Sequence, residues 1–551
     1  MPGYNIEGKK VIISDDKYKE IYWIELSDLV KEKYFTEIKE TKNPLVVQEI
    51  LKYCFSFFCN KLEEKIQSEK RFSFYLFCHL LHEDSIEIFL KQTEGYKLGI
   101  NEEKFAASRR ILKIILEQSV RYDLIGASNF AKEMFNNFTE YSTYLEEMLY
   151  AGEWAFISSE YLARCQLFPK AIGVNYDDEL NEIAFLTHQP YPIFFSHIFK
   201  DLPNHDSKVA LSDCIGDFKT LIEEKYKIKY DDLCYFIAEI IQKPENKFGV
   251  TLLSEIIKNI KVNTSVDHHF IDSFYEGLTI NKDIALIIEE CFYKNQDIRR
   301  HIYRPILEYK IDGKIFNIVG ANKWGESMVL LTTNCFPFGI FPEEWKKNVY
   351  LKKFIEKIDN THDKILQLPI TNLLSAKNHP FEMDIKSFST SNRQNINIDN
   401  TIGDIDILFL DFNNKWIYVC ECKHNRSRFD YNNWKRDYSN FKSKYEKQLD
   451  RKVEWAKQNI EVIRNHFKYR KCNPMDLNID DFEVIGIFLI NAPTLYMYNS
   501  TYKCYTINDF ERVLKNENPF GEFVVYAEDR KKIYKFNHPY FEDVERQISL
   551  L

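Results

Sequence analysis

The sequence lacks several patterns that mark whole classes of protein. Its 12 cysteines include no Cys-x-x-Cys pair, and the closest two, Cys420 and Cys422, flank a glutamate on a predicted strand. This spacing excludes the usual zinc sites and favours a reducing, cytoplasmic environment. No run approaches about 18 uninterrupted apolar residues, and the first residues lack the apolar segment of a secretory signal, so we expect no membrane association. No Gly-x-x-x-x-Gly-Lys-Ser/Thr loop occurs, so nucleoside triphosphate hydrolysis is not predicted.

The chain also has fewer positively charged than negatively charged residues. The chain has 74 Lys and Arg against 83 Asp and Glu, a net charge of -9. A protein that coats nucleic acid over its whole surface needs an excess of Lys and Arg, so any nucleic-acid groove must be local. The length of 551 residues predicts two or three domains, and the 45% hydrophobic and 28% charged content is typical of a soluble globular protein.

Two changes of pattern divide the chain. From about residue 40 to 300, apolar residues recur at helical spacing, so we predict a mainly α-helical region over residues 1–300 that serves recognition or regulation and contacts a partner protein or a second copy. Within it, His79 and His82 lack an accompanying carboxylate motif and are interpreted as core residues. Two short strands flank Asp312 and Gly313, which predicts a connecting segment with a β-hairpin over residues 301–345. Residues 346–551 read as an α/β domain with a mixed central sheet.

One segment of residues 346–551 contains the candidate catalytic residues. The motif Gly-Asp-Ile-Asp at residues 403–406 opens an apolar strand, a tight turn follows, and a second strand ends in Glu-Cys-Lys at residues 421–423. Because side chains alternate along strands, Asp404 and Asp406 share one face and Glu421 and Lys423 share one face of the partner strand. Burying two carboxylates without a partner costs several kcal/mol. Mg²⁺ prefers such oxygen ligands, and Lys423 can orient or deprotonate an attacking water and offset developing charge.

These residues resemble the PD-(D/E)xK nuclease superfamily, whose restriction-endonuclease-like core places an aspartate on one strand and a Glu-x-Lys triplet on the next. The resemblance implies catalytic roles for Asp406, Glu421 and Lys423. It also implies a metal ion, Mg²⁺ with Mn²⁺ as a substitute, held by Asp406, Glu421 and the backbone carbonyl of Cys422. Asp404 stays open as an additional acid.

Two further features of the family have candidates in this sequence. Such nucleases often follow the triplet with a basic helix bearing a glutamine that approaches the site, and Gln448 is the candidate here. The family also uses an acidic residue on a helix before the first strand. Glu356 is the first candidate for that acid, and Glu382 is the second, although its surroundings look more like a strand.

A basic stretch begins at the proposed catalytic lysine. Residues 423–452 contain ten Lys or Arg against four acids, which supplies the local positive charge that a nucleic-acid groove needs. The interleaved aromatic residues are expected mostly to pack the helix. The predicted nucleic-acid contacts are Arg426, Arg428, Lys435, Arg436, Lys444, Arg451 and Lys452.

The sequence therefore predicts a Mg²⁺-dependent nuclease, an endonuclease or exonuclease that hydrolyses phosphodiester bonds, with DNA as the favoured substrate. The layout suits a role in bacterial anti-phage defence or restriction. Two alternatives stay open: a catalytically inactive scaffold that keeps the nuclease fold and binds nucleic acid, and an RNase that uses the same site.

Overall fold

The structure is a computed structural model that describes residues 3–126, 128, 130–188, 191–192, 214–234, 248–263, 267–389, 395–426, 428, 430–470, 479, 481–526 and 533–549. The chain forms two compact units. The first, called the helical unit, comprises residues 1–163, 173–186 and 213–359. The second, called the sheet unit, comprises residues 164–172, 187–212 and 360–551.

The helical unit consists mainly of helices, as predicted for the N-terminal region. Its helices within the described residues are α1 Lys19–Tyr34, α2 Pro44–Ser68, α3 Phe72–Thr93, α4 Glu102–Ser119, α5 Phe130–Asn136, α6 Phe138–Leu167, α7 Cys214–Tyr226, α8 Leu253–Asn263, α9 His268–Glu276, α10 Ile288–Tyr293, α11 Ala321–Asn334 and α12 Val349–Thr361. Its strands are β1 Tyr4–Ile6, β2 Lys9–Val11, β3 Glu40–Thr41, β4 Ile172–Asp177, β5 Glu182–Thr187, β6 Phe248–Thr251, β7 Thr279–Ile280, β8 Ile306–Ile311 and β9 Lys314–Gly320. Turns of 3-10 helix occur at Asp16–Tyr18, Phe336–Phe338 and Glu343–Lys347.

Helices α3 and α4 pack against each other in the interior of the helical unit. Helix α4 begins where the Asn101 side chain accepts a hydrogen bond from the backbone N–H of Lys104 at 3.0 Å, which satisfies one of the free donors of the first turn. On α3, His79 and His82 are both buried, as predicted. His79 Nε2 lies 3.1 Å from the hydroxyl of Tyr309, so this ring is part of a polar contact in the core.

The hairpin of β8 and β9 forms as predicted but belongs to a larger sheet. Asp312 and Gly313 adopt φ values of 47° and 78°, the left-handed conformation that a tight hairpin turn requires. Strand β9 also pairs with β6 and strand β8 with β7, in the order β6-β9-β8-β7. These long-range pairings tie the hairpin to preceding elements of the helical unit. Along the chain, the last change from one unit to the other falls between residues 359 and 360, and the predicted boundaries near 300 and 346 stay predictions.

The sheet unit contains the remaining elements. Its helices within the described residues are α13 Gln367–Ala376, α14 Tyr431–Asn440, α15 Glu446–Gln458, α16 Ile460–Arg470, α17 Ile507–Val513 and α18 Tyr540–Ser549. Its strands are β10 Phe381–Ile385, β11 Ser387–Ser389, β12 Asn395–Asn397, β13 Ile405–Asp411, β14 Trp416–Lys423, β15 Glu483–Ile490, β16 Lys503–Thr506, β17 Phe523–Tyr526 and β18 Ile533–Phe536. A π-helical turn, Phe441–Tyr445, joins α14 to α15, and 3-10 turns occur at His362–Leu366 and Leu495–Tyr498.

The central sheet of this unit is mixed, as predicted. Its strand order is β10-β13-β14-β15-β16. Strands β10, β13 and β14 pair antiparallel, whereas β14, β15 and β16 pair parallel. The parallel step from β14 to β15 needs a crossover, and α14, α15 and α16 provide it. No helix in the described part of the chain is both long and apolar enough to cross a membrane.

Helix α15 lies directly on strands β14 and β15, because a glycine leaves room for it. A Cβ atom on Gly486 of β15 would lie 2.7 Å from Val453 Cγ2 and 2.8 Å from the ring of Tyr502, closer than such carbons normally approach. Leu449 and Ala456 of α15 are fully buried. The glycine therefore sets how closely this helix approaches the strand that ends in Glu-Cys-Lys.

Candidate functional site

An aspartate side chain organises the turn between β13 and β14. The Asp411 carboxylate accepts hydrogen bonds from the backbone N–H groups of Asn413 and Asn414 at 3.0 and 3.2 Å. Short polar side chains that bond their own turn in this way are typical of tight connections. The turn therefore holds the two strands in one register.

That register brings the predicted acids together. Ile407 lies opposite Cys420, and one further antiparallel step places Asp406 opposite Glu421 on the same face of the sheet. Asp406 Oδ2 accepts a hydrogen bond from the backbone N–H of Cys422 at 2.7 Å. No described residue donates a hydrogen bond to its other oxygen, Oδ1. Burial and the nearby charge of Glu421 raise the pKa of Asp406 to about 7.

Glu421 is buried between two ammonium groups. Its side chain is 5% exposed; Oε1 lies 2.9 Å from Lys423 Nζ, and Oε2 accepts a hydrogen bond from Lys452 Nζ. Burial alone would raise the pKa of Glu421, but the charges of Lys423 and Lys452 hold it below its ordinary value. Glu421 is therefore an ionised carboxylate with both of its oxygens engaged.

Lys423 lies at the centre of the cluster. Its Nζ lies 3.8 Å from Asp363 Oδ2 and 4.9 Å from the ring centroid of Tyr445, in addition to its contact with Glu421. Burial lowers the pKa of Lys423, but the charges of Glu421, Asp363 and Asp406 outweigh burial and raise it. In this arrangement Lys423 is an ammonium group that donates hydrogen bonds, which corresponds to the orienting and charge-offsetting roles predicted for it.

Asp363 was missed in the sequence. It lies on the 3-10 turn His362–Leu366, before the first strand of the central sheet, and its Oδ1 accepts a hydrogen bond from the backbone N–H of His424 at 2.5 Å. The PD-(D/E)xK resemblance predicts an acid on a helix before the first strand, and the assignment of Asp363 to that role stays a prediction. Its place in the chain could have indicated Asp363, because it follows Glu356 by only seven residues and also precedes the first strand of the central sheet.

The acids that the sequence offered for that role lie elsewhere. Glu356 belongs to the helical unit, is 54% exposed and lies 3.9 Å from Lys352 Nζ. Glu382 is on β10, where its Oε1 lies 3.5 Å from Nε2 of the buried His466. The structure therefore places Asp363, and neither Glu356 nor Glu382, beside Lys423 in the sheet unit.

Asp404 and Asp406 differ in their surroundings, although they are two residues apart. Asp404 precedes β13, its side chain is 53% exposed, and it forms an ion pair with Lys386 Nζ at 3.4 Å. Asp406 lies inside the strand and faces Glu421. This placement favours Asp406 as the acid of the site and makes Asp404 a natural control.

Gln448 lies on the helix face directed toward β14. On α15 and the turn before it, Tyr445, Gln448 and Lys452 follow helical spacing on one face. The first contacts Lys423 and the last contacts Glu421. Gln448 Oε1 is buried and has no hydrogen-bond partner among the described residues. A buried amide oxygen without a partner is costly unless a ligand or water satisfies it, which agrees with the prediction that Gln448 approaches the site.

The basic stretch is less exposed than predicted. Arg426 is 8% exposed, Lys452 is 5% exposed, and Arg428 Nε donates a hydrogen bond to the buried carboxylate of Asp437 at 3.0 Å. These three side chains are internal because the buried carboxylates of Glu421 and Asp437 need positive partners. The predicted nucleic-acid contacts at these three positions are corrected accordingly. The remaining predicted contacts reach the surface: Arg436, Lys444 and Arg451 are exposed and Lys435 is partly exposed.

One carboxylate oxygen of the cluster, Asp406 Oδ1, suits a hard divalent cation, whereas both oxygens of Glu421 contact ammonium groups. Among the described residues, no group of three or more His, Cys, Asp or Glu side chains is arranged to hold a metal ion. Mg²⁺, however, is often held by one or two carboxylates together with water and substrate oxygens. Asp406 Oδ1 is available for this role, and the Cys422 carbonyl points toward the same neighbouring strand as its N–H, which bonds Asp406. The assignment of Asp406, Glu421 and the Cys422 carbonyl as metal ligands stays a prediction.

Comparisons with protein-family models, with curated proteins and with solved structures find no match to this chain.

Proposed function

We propose that this chain is a metal-dependent nuclease that hydrolyses phosphodiester bonds, with DNA as its substrate. The observation that carries the proposal is the Asp406–Glu421–Lys423 cluster. Two carboxylates face each other on adjacent strands, and a lysine ammonium lies 2.9 Å from one of them. The resemblance to the PD-(D/E)xK superfamily and the mixed sheet around the cluster support the same function.

Each side chain of the site has a separate role in the proposed reaction. A bound Mg²⁺ would be held by Asp406, Glu421 and the Cys422 carbonyl, and would polarise the phosphate and activate the attacking water. Lys423 donates a hydrogen bond to a phosphate oxygen and offsets the charge that develops on it. Gln448, whose Oε1 has no hydrogen-bond partner among the described residues, approaches the same site from α15.

Exposed basic side chains near the site support contact with a phosphate backbone. Arg436, Lys444 and Arg451 are exposed on or beside the helices that follow β14. Contacts of this kind position a nucleic acid without reading its sequence. A large helical unit in the same chain as a nuclease site fits a role in bacterial anti-phage defence or restriction.

A second candidate is a nucleic-acid-binding scaffold without turnover. The observation that favours it is the double pairing of Glu421 with Lys423 and Lys452, which neutralises this carboxylate with the chain's own ammonium groups. An RNase would use the same residues, so the choice of nucleic acid is left to the experiment.

The test is cleavage by the purified full-length chain. Linear duplex DNA, supercoiled plasmid, single-stranded DNA and RNA are incubated with Mg²⁺, with Mn²⁺ or with EDTA. We expect metal-dependent cutting of DNA that falls by about 100-fold or more in Asp406→Asn and Glu421→Gln. Asp404→Asn is the matched control, because it removes an exposed acid of the same motif, and it is expected to cut normally.

Each other outcome selects against the proposal in a defined way. Equal cutting by Asp406→Asn and Asp404→Asn would show that the cluster takes no part in the cleavage reaction. Binding of DNA without cutting under every metal condition would identify the scaffold, and cutting of RNA alone would identify an RNase. Circular dichroism of each variant separates a loss of activity from a loss of folding.

A further inference from the structure

Two helices of the helical unit bring positive side chains together around one carboxylate. Arg109 and Lys113 lie one turn apart on α4, and Lys323 and Glu326 lie one turn apart on α11. Glu326 accepts a hydrogen bond from Lys323 Nζ at 2.7 Å and another from the Arg109 guanidinium. Three cations therefore surround a single carboxylate in a mostly buried place.

Lys113 is the cation that this carboxylate does not reach. Among the described residues, none accepts a hydrogen bond from its ammonium group or forms an ion pair with it. Burial and the charges of Arg109 and Lys323, partly offset by Glu326, lower the pKa of Lys113 to about 7. Lys113 is partly exposed, but an ammonium group that lies among other cations without an acceptor opposes folding, so its presence requires an explanation beyond packing.

Two buried histidines line the same cluster. The rings of His82 and His301 are each 1% exposed, and their centroids are 5.8 Å apart. Burial and the charge of Lys323 hold the pKa of both rings well below the ordinary value, so both are neutral. Nε2 of each ring has no hydrogen-bond partner among the described residues. His301 Nδ1 donates to the Arg304 carbonyl at 2.9 Å, so its Nε2 presents a free lone pair.

The other buried carboxylates nearby are satisfied elsewhere. Glu83 accepts hydrogen bonds from the backbone N–H groups of Asn322 and Lys323 at 2.7 and 3.0 Å, at the N-terminus of α11. Glu117 accepts a hydrogen bond from Arg300 Nε at 2.7 Å. Neither carboxylate forms an ion pair with the three cations. When Lys113 is protonated, Arg109, Lys113 and Lys323 against Glu326 leave two positive charges in excess.

We propose that this cluster binds the oxyanion group of a small ligand, a phosphate or a carboxylate that carries a neighbouring O–H. The ammonium groups of Lys113 and Lys323 and the Arg109 guanidinium hold the negative oxygens, and the free lone pair of His301 Nε2 accepts the O–H. The side chains of Arg109 and Glu326 are 11% and 14% exposed, so the cluster reaches solvent at this edge. This proposal is independent of the proposed nuclease function.

The test measures the melting temperature of the full-length chain with three probes: inorganic phosphate, pyrophosphate and malate, each against sodium chloride at equal ionic strength. We expect a saturable rise of about 3 °C at roughly 20 times the dissociation constant with at least one probe. The phosphate and malate arms distinguish the two ligand chemistries. The rise is expected to disappear in Lys113→Met and to persist in Lys97→Met, where an exposed lysine of the same unit is removed.

The melting temperature of Lys113→Met without any ligand provides a second test. Because it removes an ammonium group that lies among other cations without an acceptor, it is expected to fold and to melt above the unmodified chain. A rise that is equal in Lys113→Met and Lys97→Met would be a general salt effect and would overturn the site. No saturable rise with any of the three probes would also overturn it, and Lys113→Gln serves as a second uncharged variant.

Discussion

Lys452 offers the sharpest test of where the basic residues of the sheet unit lie. The sequence predicts a nucleic-acid contact, whereas the structure buries this side chain against Glu421, with side-chain exposures of 6% and 5%. Removing one member of a buried ion pair costs about 3–5 kcal/mol. Since Lys423 remains 2.9 Å from Glu421 and keeps that carboxylate paired, we expect Lys452→Met to lower the free energy of unfolding by about 3 kcal/mol, the lower end of that range.

The assay is urea unfolding followed by far-UV circular dichroism, with Lys444→Met as the matched control. Lys444 precedes α15 by two residues and is exposed, so its replacement is expected to change stability by less than about 0.5 kcal/mol. With a slope of about 2–3 kcal/mol per molar urea, the loss in Lys452→Met shifts the affected midpoint by about 1 M or more. Equal midpoints for the two variants would refute the buried position of Lys452, and a higher midpoint for Lys452→Met would show that desolvation of the pair exceeds its attraction.

Three further predictions concern single residues. If the nuclease proposal holds, Asp363→Asn is expected to slow cleavage by about 10-fold, because it removes a charge beside Lys423, whereas Glu356→Gln leaves the rate within about twofold; initial rates on plasmid DNA decide this. Gly486→Ala is expected to destabilise the chain by about 1–3 kcal/mol because its Cβ meets the side chains of Val453 on α15 and Tyr502, whereas Gly521→Ala, with open space around it, is expected to be near neutral in urea unfolding. The pKa of Lys113 is lowered from 10.5 to about 7 in the folded chain, so its protonated form opposes folding fully below pH 7, and this penalty fades as the pH rises toward 10.5. Lys113→Met should therefore gain most stability over the unmodified chain below pH 7 in a melting series, and a gain that grows with pH would contradict this sign. The charged or titratable groups that face Lys113 or its cluster in this comparison are His82, Arg109, Arg110, His301, Lys323 and Glu326.

The parts of the site that sequence reasoning found are those set by local rules. Alternation along two strands and the chemistry of the turn place Asp406 opposite Glu421 and keep Lys423 on the same face. The strand Glu483–Ile490 follows a similar local rule, because its nearly continuous apolar run suits a strand buried on both faces. Such features depend on neighbours within a few residues or across one hairpin.

The parts that were missed depend on contacts between distant segments. Asp363 reaches Lys423 from a 3-10 turn 60 residues earlier in the chain, and no local pattern records that approach. Charge counting predicted an exposed basic helix, but it ignores which side chains turn inward, and Lys452 and Arg428 turn inward to meet buried carboxylates. The pairing of β6 with β9 likewise joins residues about 70 positions apart, and no local pattern predicts it.

The glycine at position 486 has a consequence for how variants of this protein are interpreted. Tyr445, Gln448 and Lys452 sit on one face of a rigid segment, and Gly486 sets the distance of that segment from the sheet. A larger residue at 486 would displace all three side chains in concert while leaving every one of them chemically intact. A screen that inspects only the residues of the cluster would classify such a variant as wild type, although its activity would be impaired. Substitution of Gly486, a small residue that does not belong to the cluster, is therefore expected to have the same effect as substitution of a residue in the cluster.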